Sequence, residues 1–316
     1  MNLVSYIVPG WAWNYVDYGR EMATEWWKAM LGLKKNDGVV YRAVPLVGDN
    51  KKALCVGINY TGSAYELKGC INDARCLKTL LMNQYGFKDE RVKILADTQG
   101  FVYPTAKNII EGIRWLLEGA KAGDVLFFSY SGHGTNCDDK NNDESDGRDE
   151  ALFTLDNCLI VDDFLNSELL SKVPIGVKLV CLFDCCHSGT IGDLQYCYRY
   201  VPKSSPSKFT MTMEKGKEVK GEVILYSGCM DPQTSADSNF SGKWVKGDNG
   251  KQKLVWGEGN GAFTWFFLQA LKARKYNVSC GELLKEVVTL LGNNKFTQET
   301  MLSCSRADLI GKPFVL

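Results

Sequence analysis

From Lys52 onward, apolar residues along the chain fall into two alternating rhythms. Short runs such as "KALCVGINY" (52–60), "RVKILAD" (91–97), "DVLFFSYSGHG" (124–134), "VKLVCLFDCCHSG" (177–189) and "EVILYSGCMD" (222–231) read as strands. They are apolar at successive positions, as strands covered on both faces should be. Between them, "CINDARCLKTLLMNQYG" (70–86) places Leu77, Leu80 and Leu81 on one helical face and ends at Gly86, and "TAKNIIEGIRWLLEGA" (105–120) is a second helix. Later helices are predicted over about 261–274 and 281–291, and "QETMLSCS" (298–305) reads as a final strand. Strands and helices alternating at this spacing predict an α/β fold. Its core would be a mostly parallel central sheet of six or more strands, with helices on both faces.

Three segments break the rhythm. Residues 1–45 hold four of the eight tryptophans (Trp11, Trp13, Trp26, Trp27) and no clear strand, and are read as an N-terminal extension with a helix around Tyr18–Leu33. "PKSSPSKFTMTMEKGKEVKG" (202–221) carries five lysines with Ser, Pro and Gly, and "SGKWVKGDNGKQKLVWGEGNG" (241–261) is polar and glycine-rich; both read as linkers. The domain is therefore expected over 46–316, as a first half (46–201), a linker (202–221) and a second half (222–316).

Lys+Arg and Asp+Glu both number 37 in 316 residues, which argues against a general nucleic-acid or membrane-surface binder. The start, "MNLVSYIVPGWAWNYV", lacks the basic region and cleavage site of a signal peptide, and no apolar run approaches the ~20 residues of a membrane span. A cytoplasmic setting with reduced cysteines is expected. The twelve cysteines include no CxxC pair, which argues against a zinc ribbon or a thioredoxin-type motif.

Ligands in open α/β sheets bind beyond the carboxyl ends of strands. Here "SYSGHGT" supplies His133 and "DCCHSGT" supplies Cys186 and His187, and the chain has no other histidine. A cysteine nucleophile needs its thiolate, and an imidazole can take the proton and later deliver it to a leaving amine. Sequence neighbours point apart in extended backbone, so His133 is better placed than His187 to serve Cys186. The flanking glycines would let backbone N–H groups approach an oxyanion. The alternative is that His133 caps a loop and the cysteines fill core.

"YSGHGT" (130–135) followed by "FDCCHSGT" (183–190) resembles the His and Cys blocks of metacaspases, in the caspase-like clan of cysteine peptidases. "INDA" (71–74), "IVDD" (160–163) and "SGCMDPQTSAD" (227–237) fit the same family, so the resemblance covers about 50–316. The short linker and the absence of a proline-rich or zinc-finger prodomain resemble type I members. The resemblance implies a caspase-like α/β/α sandwich, with His133 as base, Cys186 as nucleophile and Cys185 as its neighbour. Gly134 and Cys186 would form the oxyanion site. Cleavage would follow Arg or Lys in protein or peptide substrates, with Cys70, Asp73, Ser131 and Asp184 lining the pocket. Separately from the resemblance, a monomer is expected. Asp73 could instead be a helix N-terminal acid favoured by the macrodipole.

The stretch "DDKNNDESDGRDE" (138–150) holds seven acids against two bases, yet fails as an EF-hand because its twelfth position, counted from Asn142, is Phe153. By composition it is a solvated loop. The resemblance implies activation by Ca²⁺ through Asp149, Asp162, Asp163 and Asp193, with Asp146 a substitute for Asp149. Thr154 stands where the family pattern has proline. Self-cleavage is expected after Lys203, Lys208, Lys215, Lys217 or Lys220 of the linker, or after Lys28, Lys34 or Lys35 if the extension covers the cleft. The rival readings are a calcium-responsive scaffold with a silent site and a thiol-redox protein using Cys185 and Cys186.

Overall fold

In the computed structural model, the described residues are 50–138, 148–185, 191–202, 208–213, 218–229, 243–246, 252–255, 261–296 and 298–316. The helix expected around Tyr18–Leu33 lies outside them. The strands are β1 (Lys51–Gly57), β2 (Val92–Ala96), β3 (Val125–Ser131), β4 (Gly134–Asp138), β5 (Arg148–Phe153), β6 (Leu159–Val161), β7 (Lys178–Asp184), β8 (Tyr196–Val201), β9 (Lys208–Met213), β10 (Glu222–Cys229), β11 (Lys243–Lys246), β12 (Gln252–Val255) and β13 (Glu299–Cys304). The α-helices are α1 (Cys70–Tyr85), α2 (Ala106–Leu117), α3 (Asp162–Leu165), α4 (Ala262–Ala273) and α5 (Cys280–Asn293).

The central sheet has eight strands in the order β2-β1-β3-β7-β10-β13-β8-β9. The five from β2 to β10 pair in parallel, and β13, β8 and β9 add antiparallel rungs. Both faces are covered. Ala53 and Cys55 of β1 join Leu77, Leu81, Phe267 and Leu284 in one core cluster. Leu54 and Val56, one residue out of phase, join Ile109, Ile113, Leu165 and Leu170 in the other. That period-two division between two apolar layers makes the strands continuously apolar and the architecture an α/β/α sandwich.

Local signals set the helix ends. Gly86 closes α1 in the left-handed conformation (φ 71°). Thr105 accepts the Asn108 N–H at 3.2 Å to open α2, and Ser279 accepts the Glu282 N–H at 3.3 Å to open α5.

Both stretches read as linkers contain strands. β9 occupies the middle of 202–221 and pairs antiparallel with β8, and β11 and β12 form a hairpin within 241–261. "KFTMTM" alternates in the strand period, a signal masked by the flanking Ser, Pro and Gly. A separate sheet in the order β4-β5-β6 follows His133. Among the described residues, no helix is long and apolar enough to cross a membrane.

The ladder registers determine where chemistry can gather. Gly57 pairs with Ser131, Ser131 with Asp184, and Asp184 with Gly228, so four parallel strands end on one row. α1 crosses directly over this row: a Cβ on Gly57 would meet the Cys70 carbonyl, so only glycine lets the helix start there.

Candidate active site

His133 lies two residues past Ser131, on the loop between β3 and β4, and is half-buried. Its Nε2 sits 2.8 Å from the Tyr65 carbonyl oxygen. A carbonyl only accepts, so this contact requires the proton on Nε2 and leaves the Nδ1 lone pair as the acceptor of the neutral ring. The ring packs against Tyr60 at 4.9 Å between centroids and meets the edge of Tyr65 at 6.2 Å. Gly134 follows at once, opening β4 opposite Leu152.

Cys186 and His187 lie outside the described residues. In sequence, Cys186 is two residues past the Asp184 rung, as His133 is two past Ser131. Cys185 is 1% exposed, and its burial suits a core thiol.

The other flank of the row gathers acids. Asp73, in the first turn of α1, is fully buried, and Asp184 at the end of β7 is 6% exposed. Both Asp73 oxygens lie 3.0 Å from the Gly261 N–H, and Asp184 Oδ2 accepts the Thr264 N–H at 2.8 Å. The two carboxylates therefore close on the N-terminus of α4, where backbone donors and the helix dipole favour negative charge. They also close on one atom: a Cβ on Gly261 would meet Asp184 Oδ2 and lie 2.8 Å from Asp73 Oδ2.

Burial raises the Asp184 carboxyl from 3.8 to about 6, against the opposing pull of the Thr264 hydrogen bonds. The Cys70 thiol, at the N-terminus of α1, is pushed well up by burial and then by the charges of Asp73, Asp184 and Asp97. A thiol held neutral in this way is poorly suited to act as a nucleophile. Ser131 is buried on the same rung as Asp184. The structure thus brings the four residues named from the sequence to one end of the sheet, and adds Gly261 and Thr264, which the sequence did not single out. A Gly-rich polar stretch followed by "AFTWFFL" was their only signal, and it read as a linker running into a helix.

The four aspartates expected to bind calcium lie on neighbouring elements. Asp149 is buried in β5, and Asp162 is buried at the start of α3. Asp162 Oδ2 accepts the Glu150 N–H at 2.8 Å and Oδ1 the Asp163 N–H at 2.7 Å, while burial raises its pKa. Asp193 sits in a left-handed turn (φ 46°), next to Gly192, whose carbonyl accepts from Asn166 Nδ2 at 2.7 Å. That bond ties the Asp193 turn to the segment begun by Asp162. Oxygen donors of this type suit a hard cation. Even so, among the described residues no group of three or more His, Cys, Asp or Glu converges to hold a metal. The described side chains alone do not complete a site, and most of the acid-rich 138–150 stretch, including Asp146, lies outside them.

A family profile described as "Metacaspase, peptidase C14 domain" matches residues 51–195. Metacaspase-1 of Arabidopsis thaliana is 38% identical over 259 residues, covering 77% of this chain and 65% of that protein. Metacaspase-3 of Trypanosoma brucei brucei is 36% identical over 284 residues, covering 87% of this chain and 76% of that protein. The chain thus spans just under two thirds of the Arabidopsis relative's length. The crystal structure of protein GSU0716 from Geobacter sulfurreducens superposes with a TM-score of 0.56 at 25% identity, over 84% of this chain and 99% of that one. Sandwich, strand-end row and relatives together define a caspase-like cysteine peptidase class. Within it, the chain belongs to the metacaspase family.

Proposed function

We propose that the chain is a calcium-activated cysteine endopeptidase that cleaves after Arg or Lys through Cys186 and His133. The observation that carries the reading is the His133 Nε2 contact to the Tyr65 carbonyl, which leaves Nδ1 available as a base at the strand ends. His133 Nδ1 takes the Cys186 thiol proton, and the thiolate attacks the scissile carbonyl carbon. The resulting oxyanion would be met by the N–H groups of Gly134 and Cys186. Collapse of the tetrahedral species breaks the C–N bond as His133 returns the proton to the leaving amine. Water, deprotonated by the same ring, then hydrolyses the thioester and regenerates the thiol.

Asp184 and Asp73 supply the specificity. A guanidinium or ammonium entering between them would replace contacts to neutral backbone donors with ion pairs to a full positive charge, bidentate in the case of Arg. Asp149, Asp162, Asp163 and Asp193 are the residues that would hold Ca²⁺, with further ligands from 138–150. The cation would neutralise buried carboxylates, and no bond-making step passes through it.

A fluorogenic Arg peptide assayed with calcium, with chelator, and with Cys186→Ala tests the reading. Turnover is expected only for the parent protein with calcium. An active Cys186→Ala protein, or turnover of Asp peptides equal to that of Arg peptides, overturns it.

A further inference from the structure

The loop that presents His133 is held by two buried hydroxyls that the reaction as written does not use. Tyr130, inside β3, is fully buried, and Tyr60, three residues past the end of β1, is 3% exposed. Their Oη atoms lie 3.1 Å apart. Tyr60 Oη accepts the His133 N–H at 3.0 Å and sits 2.5 Å from the Phe153 carbonyl. Tyr130 Oη is 2.8 Å from the His133 carbonyl and 2.7 Å from that of Phe153. The Phe153 N–H donates to the His133 carbonyl at 3.0 Å. Each phenol has one proton, and burial keeps both phenols protonated. One assignment satisfies every group: Tyr60 donates to Phe153 O and accepts from His133 N–H, while Tyr130 donates to His133 O.

Two further features show that this arrangement is imposed. Tyr60 has φ 52°, in the left-handed region that a bulky side chain enters only at a cost of order 1 kcal/mol or more. The Asp97 carboxylate holds it there, with Oδ1 accepting the Asn59 N–H at 2.7 Å and Oδ2 the Thr61 N–H at 3.1 Å. Gly132 is the second feature. A Cβ there would lie 2.8 Å from Tyr130 Oη and 3.1 Å from Tyr60 Oη, so any larger residue would push the hydroxyls off the His133 peptide. The same loop carries Tyr65, whose carbonyl sets the His133 tautomer.

We infer that Tyr60, Tyr130 and Asp97 are positioning residues for His133: two neutral hydroxyls and one loop clamp that fix the peptide, and through Tyr65 the tautomer, of the base. The inference rests on His133 being the base. Displacing a reacting group by about 1 Å can lower the rate by ~100-fold while leaving ground-state binding intact. A hydroxyl that only filled space would be replaceable by hydrogen.

The test compares Tyr60→Phe, Tyr130→Phe and Asp97→Asn with the parent. Three quantities are read: kcat and KM for an Arg peptide across pH, the pH-dependent alkylation of Cys186 by iodoacetamide, and thermal stability. Tyr60→Phe is expected to lower kcat about tenfold or more with KM held within about twofold. It should also displace the acidic limb of kcat/KM and slow Cys186 alkylation by a similar factor near neutral pH. Tyr130→Phe should act in the same direction, and Asp97→Asn, which keeps one acceptor oxygen, more weakly. A folded Tyr60→Phe protein with kcat within twofold of the parent and an unchanged pH profile overturns the inference. If Tyr60→Phe does not fold, an unaltered pH profile in both Tyr130→Phe and Asp97→Asn overturns it equally. His133→Ala keeps the two readings apart: retained activity there defeats the base assignment, whereas an inactive His133→Ala beside an unaffected Tyr60→Phe defeats only the positioning role.

Discussion

The two flanks of the strand-end row are built on opposite plans. On the His133 side, the peptide groups are bonded to neighbouring backbone and buried phenols, and the Nε2 contact to the Tyr65 carbonyl leaves Nδ1 as the acceptor nitrogen. On the Asp73 and Asp184 side, the charged groups are occupied by neutral N–H donors of Gly261 and Thr264. On the proposed function, one flank is set before substrate arrives, and the other holds a stand-in that a cationic side chain would have to outcompete. A base has to be immobile to transfer a proton at the right moment, whereas a specificity pocket needs only to prefer its ligand to its own backbone.

Removing each flank should therefore give different kinetics. His133→Ala is expected to lower kcat by ~10²–10⁴-fold with KM nearly unchanged. Asp184→Asn should lower kcat/KM for Arg peptides by about 100-fold, with a raised KM, because it removes a charge-assisted contact. Cys185→Ala, a change behind the row, should keep most activity. Steady-state kinetics on the three variants check this, and an unchanged KM in Asp184→Asn would erase the difference between the flanks.

The pH response sharpens the same contrast. The Asp184 carboxyl is raised from 3.8 to about 6, so the folded protein holds a proton there that the unfolded chain has lost. The contribution of this group to stability is present below 3.8 and is lost as pH rises through about 6. Activity is expected to run the other way, because the proposed pocket needs the carboxylate. KM for Arg peptides should rise as pH falls below about 6, and Asp184→Asn should flatten both trends. Chemical denaturation and KM measured between pH 4 and 8 check the pair of signs. A KM that is flat in the parent protein would remove Asp184 from the pocket.

A smaller change tests the stand-in itself. Gly261→Ala places a Cβ against Asp184 Oδ2 and Asp73 Oδ2, so the start of α4 must shift away from the carboxylates. Stability should drop by roughly 1–3 kcal/mol, the range for an overpacked site. KM for Arg peptides should change by more than kcat. A variant equal to the parent in melting temperature and KM would show that the helix start yields freely.

Much of the architecture was legible in the chain, because buried parallel strands leave an unambiguous apolar signature and helix ends carry Gly86, Thr105 and Ser279 as markers. The small sheet around β5 and the last two strands of the central sheet, β8 and β9, were not. Their residues alternate with polar and turn-forming neighbours, so composition spoke more loudly than period. At the site, the reactive residue types announced themselves, while the supports did not. Tyr60 and Tyr130 lie within or just after apolar strand runs and carry no signal of their own, since only the folded chain brings their hydroxyls onto one peptide. Gly261 read as linker because backbone donors carry no side-chain signature.

The weakest expected effect concerns self-cleavage in the lysine-rich segment. Lys208 opens β9 and pairs with Val201 in the β8–β9 ladder, so its backbone must leave the sheet before it can extend through a cleft. Lys220 lies two residues before β10, and Lys203, Lys215 and Lys217, like Lys28, Lys34 and Lys35, lie outside the described residues. A peptidase acts on unpaired, extended backbone, and exposed segments are nicked before paired strands. Calcium-triggered cleavage should therefore be slow at Lys208, whose backbone is paired. Chelation, or Asp162→Ala with Asp163→Ala, should suppress it along with peptide turnover and leave the melting curve cooperative. Mass spectrometry of new N-termini over a time course, with Cys186→Ala as control, measures the order. Cleavage first at Lys208 would mean that β9 leaves the sheet edge readily, and the same fragments from Cys186→Ala would assign the cut to another protease. Full turnover after chelation would leave Asp162 and Asp163 as structural acids without a metal.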